Sequence, residues 1–124
     1  MPVITAASAA RFDPAPGTGI VGLASPSRGS QELSAWRVRL DPGVSSPAHE
    51  VDREEVFVVL EGRVRVTYED HAEEAEAGGA LVVPTGREFT LTNPGPDAFE
   101  AVVCAPAAIR ATAGGETFPP PWAA

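Results

Sequence analysis

Cysteine is almost missing from this chain. Cys104 stands alone, so no disulfide can close within the 124 residues, and a chain without that staple fits a reducing, cytoplasmic compartment. Positive charge is scarce as well. Nine Lys and Arg face seventeen Asp and Glu, a formal net charge of -8. Such a balance repels phosphate backbones and anionic lipid, which removes nucleic acid and membrane surfaces from the expected partners. No apolar stretch approaches the length of a membrane span. The first dozen residues lack a basic segment followed by an apolar core, so no signal peptide is expected. Long helices are excluded by what is abundant instead: twelve Gly and thirteen Pro, falling between short apolar runs. That spacing of breakers predicts a single all-β domain with many turns.

The organisation follows from the breakers. Residues 1–19 read as an N-terminal arm, 20–110 as the β-domain and 111–124 as a C-terminal tail that carries Phe118, three prolines and Trp122. An Ala-rich patch at 6–10 is too short to make a stable helix alone. Residues 25–30 read as a turn or a mobile loop. Residues 33–40 alternate, with Trp36, Val38 and Leu40 on one face and Arg37 and Arg39 on the other. Residues 55–60 are apolar on both faces after Glu55, so a second strand layer or a second subunit is expected to cover the outer side. A homodimer is the expected assembly. Further strands are predicted over 63–68, 81–83, 87–92 and 98–105, with 73–77 a short exposed strand or a loop. About eight short strands of this kind make a β-sandwich or barrel.

Two stretches carry the chemistry. In 43–62, GVSSPAHEVDREEVFVVLEG, the marked positions are Gly43, His49, Val51, Glu55 and Gly62. In 78–93, GGALVVPTGREFTLTN, they are Gly78, Pro84, Gly86, Phe89 and Asn93. The two spacings resemble the pair of signature motifs of the cupin superfamily. The resemblance implies a double-stranded β-helix, a jelly-roll-like barrel with its pocket between two sheets, and implies that His49 and Glu55 point inward. Cupins commonly hold iron, manganese, nickel or zinc through three histidines and one glutamate. Here Val51 and Phe89 occupy two of those four positions. Two side chains hold a divalent ion weakly, and an open catalytic site usually keeps at least three protein ligands. No metal cofactor is favoured; if one is bound, His49 and Glu55 are the ligands present, with Cys104 a further donor only if its strand turns that face inward. His71 sits at a hairpin tip, away from the site.

The candidate ligand pocket is therefore His49, Val51, Glu55, Phe57, Phe89 and Leu91, and it takes a small molecule. His49, Glu55 and Tyr68 are the candidate catalytic residues. Without a metal, Glu55 must pair with His49, bind water or titrate upward, because a carboxylate in an apolar barrel is costly to bury. Each residue also has a plain structural role. His49 can bond a backbone carbonyl, Tyr68 can close a strand as core, and Phe89 can fill space. Arg37 and Arg39 can form a solvated face instead of an anion site, and Cys104 can be a small buried hydrophobe. Three functions stay open, in order: a cupin that binds a small organic ligand without the usual metal, a metal-free isomerase or epimerase using His49 and Glu55, and a metal-dependent dioxygenase or isomerase with a reduced ligand set. The tail FPPPW either docks on a neighbouring subunit or folds back over its own barrel.

Overall fold

A computed structural model describes residues 2–124; Met1, the first residue of the arm, lies outside them. The alternating run 33–40 is one unbroken strand, while 87–92 is strand only over 90–92. The strands are β1 (Ala10–Ala15), β2 (Thr18–Ala24), β3 (Leu33–Leu40), β4 (Glu50–Val51), β5 (Glu55–Glu61), β6 (Arg63–Thr67), β7 (Ala72–Glu76), β8 (Ala80–Val83), β9 (Thr90–Thr92), β10 (Phe99–Pro106), β11 (Ala111–Ala113) and β12 (Glu116–Phe118), with one 3-10 turn at Pro26–Arg28. They form a six-stranded sheet, β1-β2-β3-β10-β5-β8, and two three-stranded sheets, β12-β11-β4 and β7-β6-β9. Isolated bridges from Ser45 to Thr92 and from His49 to Phe89 tie the two small sheets into one opposing layer. The core draws on all three sheets and lies between the layers. This is the two-layer barrel that the resemblance implies.

Register explains why the large sheet has one apolar inner face. Leu81 pairs with Phe57, Phe57 with Val103, and Val103 with Trp36, a buried row across four strands. Odd and even positions of a strand face opposite sides. Glu55, two residues before Phe57, must therefore share this inner face, where it pairs with Val83.

The motif glycines and Asn93 are placed by backbone demands. Gly62 has φ +69, and a Cβ there would run into the carbonyl oxygen of Ala98, so the turn between β5 and β6 admits only glycine. Asn93 is fully buried. Its Nδ2 donates to Leu40 O and Asp97 O, both at 2.9 Å, and its Oδ1 accepts from Gly95 N at 2.8 Å. One side chain thus bonds three backbone groups and ties the turn after β9 to the end of β3.

Three readings take a different form in the structure: the arm, the tail and Cys104. The 1–19 arm contains β1, paired to β2, and the 111–124 tail contains β11 and β12, paired through β11 to β4. Most residues of β1 and all of β12 face solvent, so neither shows the apolar alternation that marks a half-buried strand. The tail folds back over its own barrel: Trp122 meets Phe12 edge-on at 6.0 Å, and Ser34 Oγ donates to Ala123 O at 2.8 Å. Residues 25–30 form the turn that was one of their two expected forms, with Arg28 Nη1 donating to Ser25 Oγ at 2.8 Å and Ser27 Oγ to Ala124 O at 2.6 Å. Cys104 is exposed on the outer face, not buried and not turned inward, because Phe99, Ala101 and Val103 take the inner positions of β10.

Candidate functional site

The two signature polar residues come from opposite layers. His49 precedes β4 and is locked to Phe89 by a pair of backbone hydrogen bonds, 3.0 and 2.9 Å. Its ring lies 4.3 Å from the Phe89 ring. Its Nδ1 sits 2.8 Å from the carbonyl oxygen of Pro47. A carbonyl can only accept, so Nδ1 carries the proton and Nε2 keeps a free lone pair. Burial lowers the pKa of His49, partly offset by that backbone bond, so the ring is neutral at physiological pH.

Glu55 stands on β5 across the barrel and is 6% exposed. Burial alone pushes its pKa up to about 7; neither a hydrogen bond nor a neighbouring charge offsets the shift. That direction is the upward titration open to an inward glutamate. His49 turns its Nδ1 to Pro47, and no hydrogen bond or ion pair joins it to Glu55 among the described residues.

Val51, Phe57, Phe89 and Leu91 are all buried in the core between these two residues' layers. Val51 and Phe89, at the two positions where the family's motifs carry histidine, are 3% and 1% exposed. Among the described residues, no three His, Cys, Asp or Glu side chains gather into a metal-holding group. His49 and Glu55 are two donors where the family's set has four, and that pair does not fit the family's metal.

A cleft of about 600 Å³ opens beside this core. Of the six candidate pocket residues, only Phe89 lines it. Tyr68 lines it too, with Thr67, Asp70, Arg87 and Thr90. Tyr68 is buried against the wall, and its pKa is raised by that burial and by Glu73, with Arg87 acting the other way. The Arg87 guanidinium covers the Tyr68 ring at 4.4 Å and reaches Asp70 Oδ1 at 2.8 Å. His71, at the hairpin tip, stacks on Tyr68 at 5.2 Å. It is gripped by Asp70 at 2.8 Å and Glu73 at 3.0 Å, and those bonds raise its pKa. Arg87 is the site residue that sequence reasoning passed over. A lone arginine after the Pro84–Gly86 turn carries no local signal; its place over Tyr68 depends on the pairing of β6 with β9. Arg37 and Arg39 form no such site. Both lie against Glu100, at 3.5 and 3.8 Å, on the solvated outer face.

Comparison with known proteins agrees with this geometry. The family model described as a cupin domain matches residues 36–104. A curated relative, endoribonuclease YbeY of Myxococcus xanthus, is 35% identical over 88 residues; the match takes in 70% of this chain but 29% of that protein. Among solved structures, the polyketide cyclase RemF of Streptomyces resistomycificus superposes with a TM-score of 0.74 at 22% identity, covering 96% of this chain and 82% of that one. A sugar phosphate isomerase from a cupin superfamily, from Silicibacter pomeroyi, gives 0.73 at 18%, covering 93% and 83%. Salicylate 1,2-dioxygenase of Pseudoaminobacter salicylatoxidans gives 0.71 at 22%, covering 84% and 31%. At these identities the neighbours speak for the fold alone. The motif spacings, the two-layer barrel and the family match over 36–104 together place this chain in the cupin domain family.

Proposed function

We propose that this cupin binds a small organic ligand without the family's usual metal, in the cleft walled by Tyr68, Arg87 and Phe89. The observation that carries the reading is the pair Val51 and Phe89: apolar, buried side chains at two of the four ligand positions, with the cleft opening directly beside Phe89. A volume of about 600 Å³ suits a small organic molecule. Arg87 and Asp70 supply polar groups that would fix its orientation. The ribonuclease name of the Myxococcus relative is not carried over. The chain spans 29% of that protein, and a net charge of -8 opposes a phosphate backbone. The test is amide NMR of labelled protein against a library of small aromatic acids, sugar acids and neutral polyketide-like rings. Hits that perturb residues 67–70 and 86–90 support the reading. Hits that map elsewhere, or no binder tighter than about 1 mM, a weak affinity on any scale, overturn it.

A second reading has its own support in Glu55. A carboxylic acid held near pH 7 is part protonated at neutrality and can both give and take a proton. It favours a metal-free proton-transfer enzyme. In that case Glu55→Gln abolishes turnover of a bound ligand without weakening its binding.

A further inference from the structure

Beside the cleft stands a second ionisable centre, separate from Glu55. His71 lies at the tip of the hairpin between β6 and β7, where Tyr68 N donates to His71 O at 2.8 Å and closes the turn. Both of its ring nitrogens meet carboxylates. Nδ1 is 2.8 Å from Asp70 Oδ1, and Nε2 is 3.0 Å from Glu73 Oε2. An ionised carboxylate only accepts, and a neutral imidazole has one N–H. Two such bonds at once therefore need the imidazolium. The same Asp70 oxygen also accepts from Arg87 Nη2 at 2.8 Å. Asp70 Oδ1 is thus a joint between the hairpin tip and the segment that leads from β8 to β9. Arg87 is the one cation among the residues lining the cleft, beside Glu69, Asp70 and Glu88. Apart from the bond to Asp70, its guanidinium N–H groups have no hydrogen-bond partner among the described residues.

We infer that His71 is a proton switch on this cleft: protonated, it shares the charge of Asp70 and leaves Arg87 open to a small organic carboxylate; neutral, it gives Asp70 over to Arg87. This rests on the cleft being a ligand site and names the class of ligand. With the proton on, the charges of Asp70, Glu73, His71 and Arg87 cancel. With it off, one negative charge is left over, and the ring can donate to only one of its two carboxylates. Glu73 has no other hydrogen-bond partner among the described residues, whereas Asp70 has Arg87. The ring therefore keeps Glu73, and Asp70 turns to Arg87. Both changes act against an anion. Glu69 and Glu88 add negative charge to the lining, so the hold of Arg87 on an anion is weak enough to depend on one proton. The bonds to Asp70 and Glu73 raise the His71 pKa, so its proton stays on to higher pH than on a free histidine. Tyr68 stays neutral throughout, since burial first and then Glu73 raise its pKa above the usual 10.0.

The experiment has two arms, each run on the natural chain and on His71→Gln, an exposed position where glutamine keeps a donor but cannot ionise. The first uses no ligand. NMR follows the His71 imidazole and the Arg87 Nε–H from about pH 5.5 to about pH 9, a range that brackets a raised histidine. The Arg87 resonance is expected to move with the His71 midpoint in the natural chain and to stay still in His71→Gln. The second arm titrates benzoate, as the anionic probe, at both ends of that range and at low ionic strength. Benzoate is expected to bind the natural chain roughly fivefold more tightly at the lower pH, about the effect of one unit charge a few ångström away across water. It is expected to bind His71→Gln equally at the two. An Arg87 resonance indifferent to the His71 proton overturns the inference. So does a pH dependence of benzoate binding that survives in His71→Gln, which would assign it to Glu55 or His49. Benzoate binding that is absent, or equal at the two ends in the natural chain, overturns it as well. If uncharged or cationic molecules still map to residues 67–70 and 86–90, that failure strikes the anion and spares the cleft; if no molecule of any class does, the cleft itself is struck.

Discussion

His49 and Phe89 are bound to each other twice, by reciprocal backbone hydrogen bonds of 3.0 and 2.9 Å and by rings 4.3 Å apart. An aromatic side chain thus occupies the place where a metal-binding cupin presents a histidine, and it leans directly on the histidine that remains.

That relationship sets the first prediction. Phe89→Ala removes a fully buried ring and should cost about 3–5 kcal/mol of stability, read from urea unfolding. It also lets water reach His49. Because burial is what lowers the His49 pKa, the value in the variant should rise back toward 6.5, followed by imidazole NMR shifts. An unchanged His49 titration would show that Phe89 does not desolvate the ring.

Glu55 makes stability depend on pH. Its pKa is raised in the folded protein from 4.5 to about 7, so folding favours the protonated form. The stability tied to that proton is fully present below pH 4.5 and is lost as pH rises through 7. A shift of this size corresponds to roughly 3 kcal/mol between those limits. Glu55→Gln keeps the shape and removes the charge. The stability difference between variant and natural chain should therefore grow in favour of glutamine from pH 4.5 to pH 8, measured by denaturant unfolding at each pH. A difference that stays flat would mean that Glu55 is solvated or paired.

Asn93 is the structural counterpart of the site residues. Asn93→Ala strands the carbonyls of Leu40 and Asp97 and the amide of Gly95, and should cost about 2–4 kcal/mol by denaturant unfolding. Asn93→Asp should cost at least as much, because a carboxylate cannot donate to the two carbonyls. A neutral Asn93→Asp would contradict the donor assignment.

Much of the fold could be read in the chain. The alternation over 33–40 predicts β3 with its bounds, and the motif spacing implies the barrel and the inward glutamate. The terminal strands escaped because β1 and β12 lie mostly in solvent and need no apolar period. Cys104 misled by residue type, since cysteine usually behaves as a small hydrophobe, while the parity of β10 puts it outside. Of the six candidate pocket residues only Phe89 lines the cleft, and the distances were not legible. That His49 bonds Pro47 instead of Glu55, and that Arg87 lies over Tyr68, depend on which layers and hairpins meet. No local pattern encodes that.

The scaffold is a cupin, and His49 and Glu55 are two donors where the family's set has four. The most direct measurement adds iron, manganese, nickel and zinc in turn to the natural chain, removes the excess by desalting, and determines the bound metal by elemental analysis. Val51→His/Phe89→His, which completes the four-donor set, runs beside it. The account predicts less than about a tenth of an equivalent on the natural chain, as two donors retain a divalent ion poorly, and a clear gain in the double variant. Close to one equivalent on the natural chain, lost on His49→Ala, would contradict it.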